Sequence, residues 1–191
     1  MEGQYEKVIT RILDGVMFHE QMMLYYNFLG LNGYSICHKY HYLSELNSYN
    51  SVLEYYINKY NKLIIIKPNT DTDIIPSSWY KFTKSDVEVS NIRSGVKTGL
   101  TKWLEWESGT LKVLKEVYID VCKEDVTFGV LLQALIHDVE CEIKTINENI
   151  MKDKATDYDV ILMMSEQGEL IKKYNKKIKH DIDFTKMGGL K

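Results

Sequence analysis

Residues 67–83, KPNTDTDIIPSSWYKFT, hold both prolines of the chain, Pro68 and Pro76. Proline removes a backbone donor and breaks helices, so this segment interrupts helical structure. The sequence on either side is free to form long helices, and strand-like alternation of apolar and polar residues is scarce. We therefore predict an all-α protein in which residues 67–83 form a long connection.

Apolar residues that recur at three- and four-residue steps predict five helices, at residues 5–29, 35–60, 85–121, 126–152 and 156–182. The links at 30–33 and 124–125 are short, so we expect two antiparallel helix pairs. Ser85 and Glu88 have the spacing of a capping box, which predicts the start of the third helix. The β-branched run at 63–66 either finishes the second helix or extends over the bundle as a linker.

Two antiparallel pairs joined by one long connection describe a four-helix bundle with a crossover. We expect the fifth helix to pack outside this bundle or across one end. A chain of 191 residues fits one domain. We predict a single helical-bundle domain over residues 1–183 and a flexible tail over 184–191.

Composition excludes several classes of protein. With 45% hydrophobic and 27% charged residues the chain is not typical of disordered proteins, and a net charge of −3 makes nucleic acid an unlikely partner. Charged or polar residues interrupt every apolar stretch, and the first residues do not resemble a signal peptide, so we expect no membrane association. Three widely spaced cysteines, Cys37, Cys122 and Cys141, fit no disulfide framework. These features predict a cytoplasmic protein.

Four glutamates are predicted to face the bundle interior. With a rotation of about 100° per residue, Glu20 lies about 40° from the centre of the first helix's apolar stripe. Glu54 falls inside the stripe of the second helix, and Glu107 falls in the middle of the third. On the fourth helix Glu142 is the most inward acid, at about 60° from the stripe centre.

An ionised carboxylate in a bundle core costs several kcal/mol unless a cation compensates it. A shared metal ion would provide that cation. Each acid taken alone could instead lie at the edge of the stripe and reach water or a lysine. The coincidence of one inward glutamate on each of four helices favours a metal site.

These residues resemble the ferritin-like superfamily, the ferritins and their Dps relatives, which carry di-iron or related sites inside four-helix bundles. The spacing is similar too, with 34 positions from Glu20 to Glu54 and 35 from Glu107 to Glu142. The resemblance covers residues 5–152. It implies that Glu20, Glu54 and Glu107 are ligands from the first three helices, with Glu142 or Glu140 supplying the fourth.

The sequence departs from that family at its Glu-x-x-His motifs. Ile57 stands three residues after Glu54, and Thr145 stands three after Glu142. Neither position is a histidine. This argues against a catalytic ferroxidase and favours a protein without metal chemistry.

The histidines offer a second set of metal ligands. His38, His41 and Glu45 have i, i+3, i+7 spacing and could form a metal patch completed by another chain. Their angles place them away from the core stripe, so a solvated face is the alternative. We expect His19 to make a hydrogen bond at the core edge and His137 to lie on the surface or at an interface.

The end of the fifth predicted helix is rich in lysine, at positions 172, 173, 176, 177 and 179. Cations in a last helical turn complement the helix dipole, so a solvated end is expected. A patch for nucleic acid or an acidic partner is the alternative.

The sequence therefore supports two hypotheses of function. In the first, a ferritin-like homo-oligomer binds iron or another divalent metal through Glu20, Glu54, Glu107 and Glu142, and oxidises or stores it. In the second, the bundle is a non-catalytic adaptor or inhibitor that acts by binding a protein partner.

Overall fold

The computed structural model describes residues 2–64, 66–67 and 83–182. Five helices account for most of them: α1 (Glu2–Phe28), α2 (Asn32–Tyr60), α3 (Val89–Val121), α4 (Val126–Ala155) and α5 (Val160–Asp181). A single 3₁₀ turn, Lys84–Asp86, precedes α3. These ranges contain no strand, and the prediction of an all-α protein is confirmed.

Helix α3 begins later than predicted. The sequence placed a capping box at Ser85 and Glu88, but Glu88 is itself the N-cap of α3 and forms its box with Asn91. A separate box between Thr83 and Asp86 encloses the 3₁₀ turn. The acidic and hydroxyl residues in this stretch permit more than one capping register, and the predicted one was wrong.

The start of α5 also differs from the prediction, whereas the end of α2 agrees with it. Asp159 caps α5 in place of residue 156, because its carboxylate accepts hydrogen bonds from the backbone N–H groups of Ile161 and Leu162, at 2.8 and 3.1 Å. Helix α2 ends at Tyr60, and its C-cap Asn61 has the left-handed φ of 50°. Leu63, Ile64 and Ile66 lie beyond the helix, and residue 65 lies outside the described residues.

Helices α1 and α2 form an antiparallel pair. Tyr5, near the start of α1, packs its ring against Tyr55 near the end of α2. Further along, His19 of α1 lies beside His38 of α2. A tight turn at 29–31 connects the two helices, as the sequence predicted.

Helix α3 is also antiparallel to α1, so it runs in the same direction as α2. Lys7 forms an ion pair with Glu116 at 2.9 Å, and the Tyr25 hydroxyl donates to the carbonyl of Gly95 at 3.2 Å. Two parallel helices in succession require a connection that crosses the length of the bundle. Most of that connection, residues 68–82, lies outside the described residues.

Helix α4 returns antiparallel to α3, and α5 runs parallel to α2. The N–H group of Gly33 donates a hydrogen bond to the side chain of Gln167. About two turns further along both helices, the ring of Tyr40 packs near that of Tyr174. Helix α5 packs mainly on α2, with a smaller contact to α3. It covers one side of the bundle.

The apolar core consists of two clusters separated by a polar layer. The cluster around the α1–α2 turn includes Phe18, Met22, Tyr25, Tyr26, Leu31, Leu100, Trp103 and Ile146. The cluster at the opposite end includes Tyr5, Val8, Ile9, Ile12, Val52, Leu114, Phe128 and Leu132. Between them, polar side chains from four helices enter the interior, and this layer is the candidate site.

Two predictions about the chain concern residues that fall partly outside the described ranges. The flexible tail at 184–191 lies beyond them, as does residue 183 at the end of the predicted domain.

Among the helices of the described chain, none is long and apolar enough to cross a bilayer.

Candidate metal centre

The polar layer contains three histidines and three glutamates that come from four helices. We call them the core cluster, and they are His19 of α1, His38, His41 and Glu45 of α2, Glu107 of α3 and Glu142 of α4. His19, His38 and Glu107 are fully buried, and His41 is nearly so. Polar groups at this depth are costly unless each has a partner.

The histidines of the core cluster surround one tryptophan. The ring centroids of His38 and His41 lie 4.5 and 5.0 Å from that of Trp103. His19 and His38 face each other with their Nδ1 atoms 3.0 Å apart, so one ring donates and the other accepts. The Nε2 atoms of His19 and His38 are buried and have no hydrogen-bond partner.

Glu107 is the carboxyl group at the centre of the cluster. Its Oε1 atom accepts a hydrogen bond from Nε1 of Trp103 at 3.2 Å and lies 3.3 Å from Nε2 of His19. Its Oε2 atom is buried and has no partner. The nearest guanidinium, that of Arg11, donates instead to Oγ1 of Thr110 and to the carbonyl of Trp106. One oxygen of a fully buried carboxyl group is thus left unsatisfied.

The pKa of Glu45 is raised above its usual value. Burial raises its pKa to about 8, and the negative charge of Glu107 adds to the increase. Its carboxyl group packs against the backbone at Gly15, where an added Cβ atom would lie 3.2 Å from the Glu45 Cδ atom. At neutral pH the side chain therefore carries a proton that a bound cation could displace.

His41 is oriented by Glu142. Its Nδ1 atom contacts Oε1 of Glu142, so the neutral ring donates from Nδ1 and keeps a free electron pair on Nε2. Burial lowers the pKa of His41 well below its usual value, and the charges of His19 and His38 act in the same direction. A carboxylate that fixes the tautomer of a histidine is the usual outer partner of a metal-binding imidazole.

A cavity of about 250 Å³ borders the core cluster. His41, Glu45 and Glu142 line it, together with Lys173 and Lys177 of α5. His19, His38 and Glu107 do not line this cavity and lie deeper in the bundle.

Two of the four predicted glutamate ligands do not enter the interior. Glu20 and Glu54 are exposed, so the prediction that they face inward was wrong. Glu107 is buried as predicted, and Glu142 is half-buried. Glu140, the alternative to Glu142, is exposed and forms an ion pair with Lys115 at 2.7 Å.

The prediction centred the buried face of α1 at the wrong angle around the helix axis. The buried face passes through Ile12, Val16, His19, Met22 and Tyr26, which places Glu20 about 100° away from His19. The spacing of His19, seven residues after Ile12 and seven before Tyr26, was the signal for a buried histidine. The sequence analysis placed His19 only at the core edge.

The secondary set of ligands was predicted to lie away from the core, either as a metal patch completed by another chain or as a solvated face, and this position was wrong. His38 and His41 are buried, and Glu45 is half-buried. Helix α5 packs on α2 and encloses part of this side. His137 is exposed, in agreement with its predicted surface position.

Within the described ranges, no group of three or more His, Cys, Asp or Glu side chains is arranged so that it could hold a metal ion. One pair of donor atoms does lie at a suitable separation. Two ligand atoms bound to one tetrahedral ion at about 2.0–2.1 Å are about 3.3 Å apart. That is the separation between Nε2 of His19 and Oε1 of Glu107, at 3.3 Å.

The fold and the core cluster define an all-helical protein with a histidine–carboxylate cluster buried between two apolar layers. No family model matches this sequence, and no match is found among curated proteins or among solved structures.

Proposed function

We propose that this protein binds a divalent transition-metal ion in its core cluster. His19 of α1, Glu45 of α2 and Glu107 of α3 would supply three ligands. The fourth ligand would be His41, also of α2, which Glu142 holds in place. This set differs from the four glutamates expected from the sequence, because Glu20 and Glu54 are exposed. It retains Glu107 and joins it to Glu45 and His41 of the predicted secondary set.

The observation that carries the proposal is the unsatisfied Oε2 atom of Glu107. A buried carboxylate with a free oxygen costs several kcal/mol unless a cation compensates it. His19 presents an unpartnered Nε2 atom next to the same carboxyl group. A metal ion bound by this carboxyl group and by Nε2 of His19 would satisfy both groups at once.

The donors favour a transition metal over Mg²⁺ or Ca²⁺. Imidazole nitrogens suit iron, zinc and related ions, whereas Mg²⁺ and Ca²⁺ prefer oxygen ligands alone. The depressed pKa of His41 keeps its imidazole neutral, the form that binds metals. Iron remains the first candidate, because the crossover topology and the carboxylates support kinship with ferritin-like bundles.

Binding requires a small rearrangement, since three donors do not yet surround one point in the described chain. The free oxygen of Glu107 and the protonated carboxyl of Glu45 are the groups that would move. Loss of the Glu45 proton on binding makes metal affinity increase with pH up to about 8, the value to which burial raises the pKa of Glu45.

Metal content of the purified protein tests the proposal. The protein is dialysed with Fe²⁺ under anaerobic conditions, or with Mn²⁺ or Zn²⁺, and bound metal is measured by mass spectrometry. We expect about one equivalent in the wild type and a loss of binding in Glu107→Gln, since one site with a central carboxylate is proposed. Glu105→Gln is the matched control, because Glu105 lies on the same helix with an exposed side chain.

Circular dichroism establishes that each variant is folded. A folded wild type that retains none of the three ions contradicts the proposal. Equal retention by Glu107→Gln and Glu105→Gln would also contradict it, because the metal would then lie elsewhere.

Exposed apolar side chains favour a second function, the binding of a protein partner or of another copy of this chain. Ile119 at the end of α3 and Val126 and Val130 at the start of α4 are 72%, 70% and 61% exposed. Val126 and Val130 are one turn apart on one face of α4. Apolar groups that share an exposed face are typical of interaction surfaces.

Light scattering on wild type and Val126→Glu/Val130→Glu tests this second function. We expect the wild type to self-associate and the charged variant to be a monomer. If the wild type is already a monomer, the patch is available only to a different protein, and self-association is excluded.

A further inference from the structure

Two lysines lie on the wall of the cavity that borders the core cluster. We propose that this cavity binds a small hydroxylated organic anion, with its phosphate or carboxylate group between Lys173 and Lys177 and its hydroxyl groups bonded to the polar side chains of the cavity walls. The proposal rests on the cavity and its lining residues, and it does not depend on a metal in the core cluster.

Within the described part of the chain neither ammonium group forms an ion pair, although the carboxylates of Asp138 and Glu142 also line the cavity. Lys177 lies over the ring of Tyr40 at 4.9 Å, and Lys173 over the ring of Tyr174 at 5.2 Å. Aromatic faces attract cations but leave most of the positive charge uncompensated. An anion that enters the cavity would compensate it.

The lysines are one turn apart on α5, and so face the same side of the helix. Both lysines line the same cavity as His41.

The walls of the cavity are suited to hydroxyl groups. Ser44 and Ser48 of α2 and Thr145 of α4 line the cavity with hydroxyls that donate or accept hydrogen bonds. The carboxyl groups of Glu45 and Glu142 also line the cavity and supply acceptors. A ligand with hydroxyl groups finds both donors and acceptors on these walls.

The size of the cavity limits the ligand. At about 250 Å³ it is smaller than the pockets of about 300–1,000 Å³ that hold drug-sized molecules. This volume favours a ligand of a few carbons. The lysine-rich end of α5, predicted to be a solvated helix end with a patch for nucleic acid or an acidic partner as the alternative, contributes two lysines to the cavity lining.

Isothermal titration calorimetry at constant ionic strength tests the proposal. The probes are glycerol 3-phosphate and malate, which carry hydroxyl groups beside a phosphate or carboxylates. We expect saturable binding of at least one probe, and the two titrations distinguish a phosphate from a carboxylate ligand. In Lys173→Ala/Lys177→Ala we expect binding to be at least about tenfold weaker, because two charge-assisted contacts are lost.

Lys172→Ala/Lys176→Ala is the matched control, since it removes the same charge from the same helix at positions that do not line the cavity. We expect this control to bind like the wild type. Equal weakening in both double variants would show that general charge attracts the anion and would overturn the proposal, as would the absence of saturable binding of either probe to the wild type. Glu107→Gln should keep anion binding, which separates this site from the proposed metal.

Discussion

The Nδ1 atom of His19 lies 3.0 Å from the Nδ1 atom of His38, at the centre of the bundle. One ring must present N–H and the other a lone pair, so this contact is incompatible with two protonated rings. The pair therefore links the stability of the core to pH.

Acid should destabilise the protein through His38. Burial, with the charge of His19, lowers the pKa of His38 well below its usual 6.5, so the unfolded state takes up a proton that the folded state does not. Stability then falls as pH decreases below about 6.5, by up to about 1.4 kcal/mol per pH unit. The free energy of unfolding, measured with urea at several pH values between 5 and 7, should change less steeply with pH in His38→Gln than in the wild type. His137→Gln, at an exposed histidine, should keep the wild-type slope, and a wild-type slope in His38→Gln would contradict the prediction.

Alkali should destabilise the protein through Glu45, with the opposite sign. Its pKa is raised to about 8 by burial and by Glu107, so the folded state holds a proton that the unfolded carboxyl releases above about 4.5. The stability that this bound proton contributes is fully present below about pH 4.5 and is lost as the pH rises towards 8. We expect Glu45→Gln to be more stable than the wild type at pH 8 and to lose the decline between pH 6.5 and 8.

Glu54→Gln is the control for Glu45→Gln, because Glu54 is an exposed glutamate of the same helix. It should follow the wild-type curve. If Glu45→Gln shows the same decline with pH as the wild type, Glu45 is ionised in the folded protein.

Asp125 should stabilise the end of the bundle at neutral pH. Burial alone would raise its pKa, but hydrogen bonds from Lys59, Tyr5 and Tyr55 lower it well below its usual 3.8. The ionised carboxylate of Asp125 stabilises the folded state above about pH 4, and this stabilisation is lost as the pH falls through the lower pKa of the folded state. Asp125→Asn should cost about 2–4 kcal/mol at pH 7, because charge-assisted bonds and the cap of α4 are weakened together. Thermal unfolding of Asp125→Asn and of the exposed neighbour Glu124→Gln measures this, and equal stability of the two would refute it.

Gly33 should tolerate no side chain. Its N–H group donates to Oε1 of Gln167 at 2.7 Å, and a Cβ atom there would lie 2.8 Å from both that oxygen and the Cβ atom of Leu170. Gly33→Ala should destabilise the α2–α5 contact by about 1–3 kcal/mol, because the two helices must separate. Gly168→Ala, on α5 with open space around it, should instead stabilise the protein by up to about 1 kcal/mol. Denaturant midpoints compare the two, and a neutral Gly33→Ala would show that α5 can shift.

The helices were predictable because their signals are local. Apolar spacing and the two prolines placed five helices within a few residues of the observed bounds, and the short turns predicted the antiparallel pairs. The capping boxes were less predictable, since several acids and hydroxyls near Ser85 compete for the same role.

The candidate site was predictable only in part. Glu107 was found because it sits one turn from both Trp103 and Leu111 on a strongly apolar face. Glu20 was misplaced because the buried stripe of α1 is wide, and its true centre runs through His19.

The sequence by itself determined that this chain is helical, where its helices lie and that acids approach a bundle interior, because these properties depend on neighbours three and four positions away. Only the tertiary structure decided which polar groups meet. The packing of α5 on α2 and the rotation of α1 bring His19, His38, His41 and Glu107 together, and contacts between segments so distant in the chain leave no periodic signal in it.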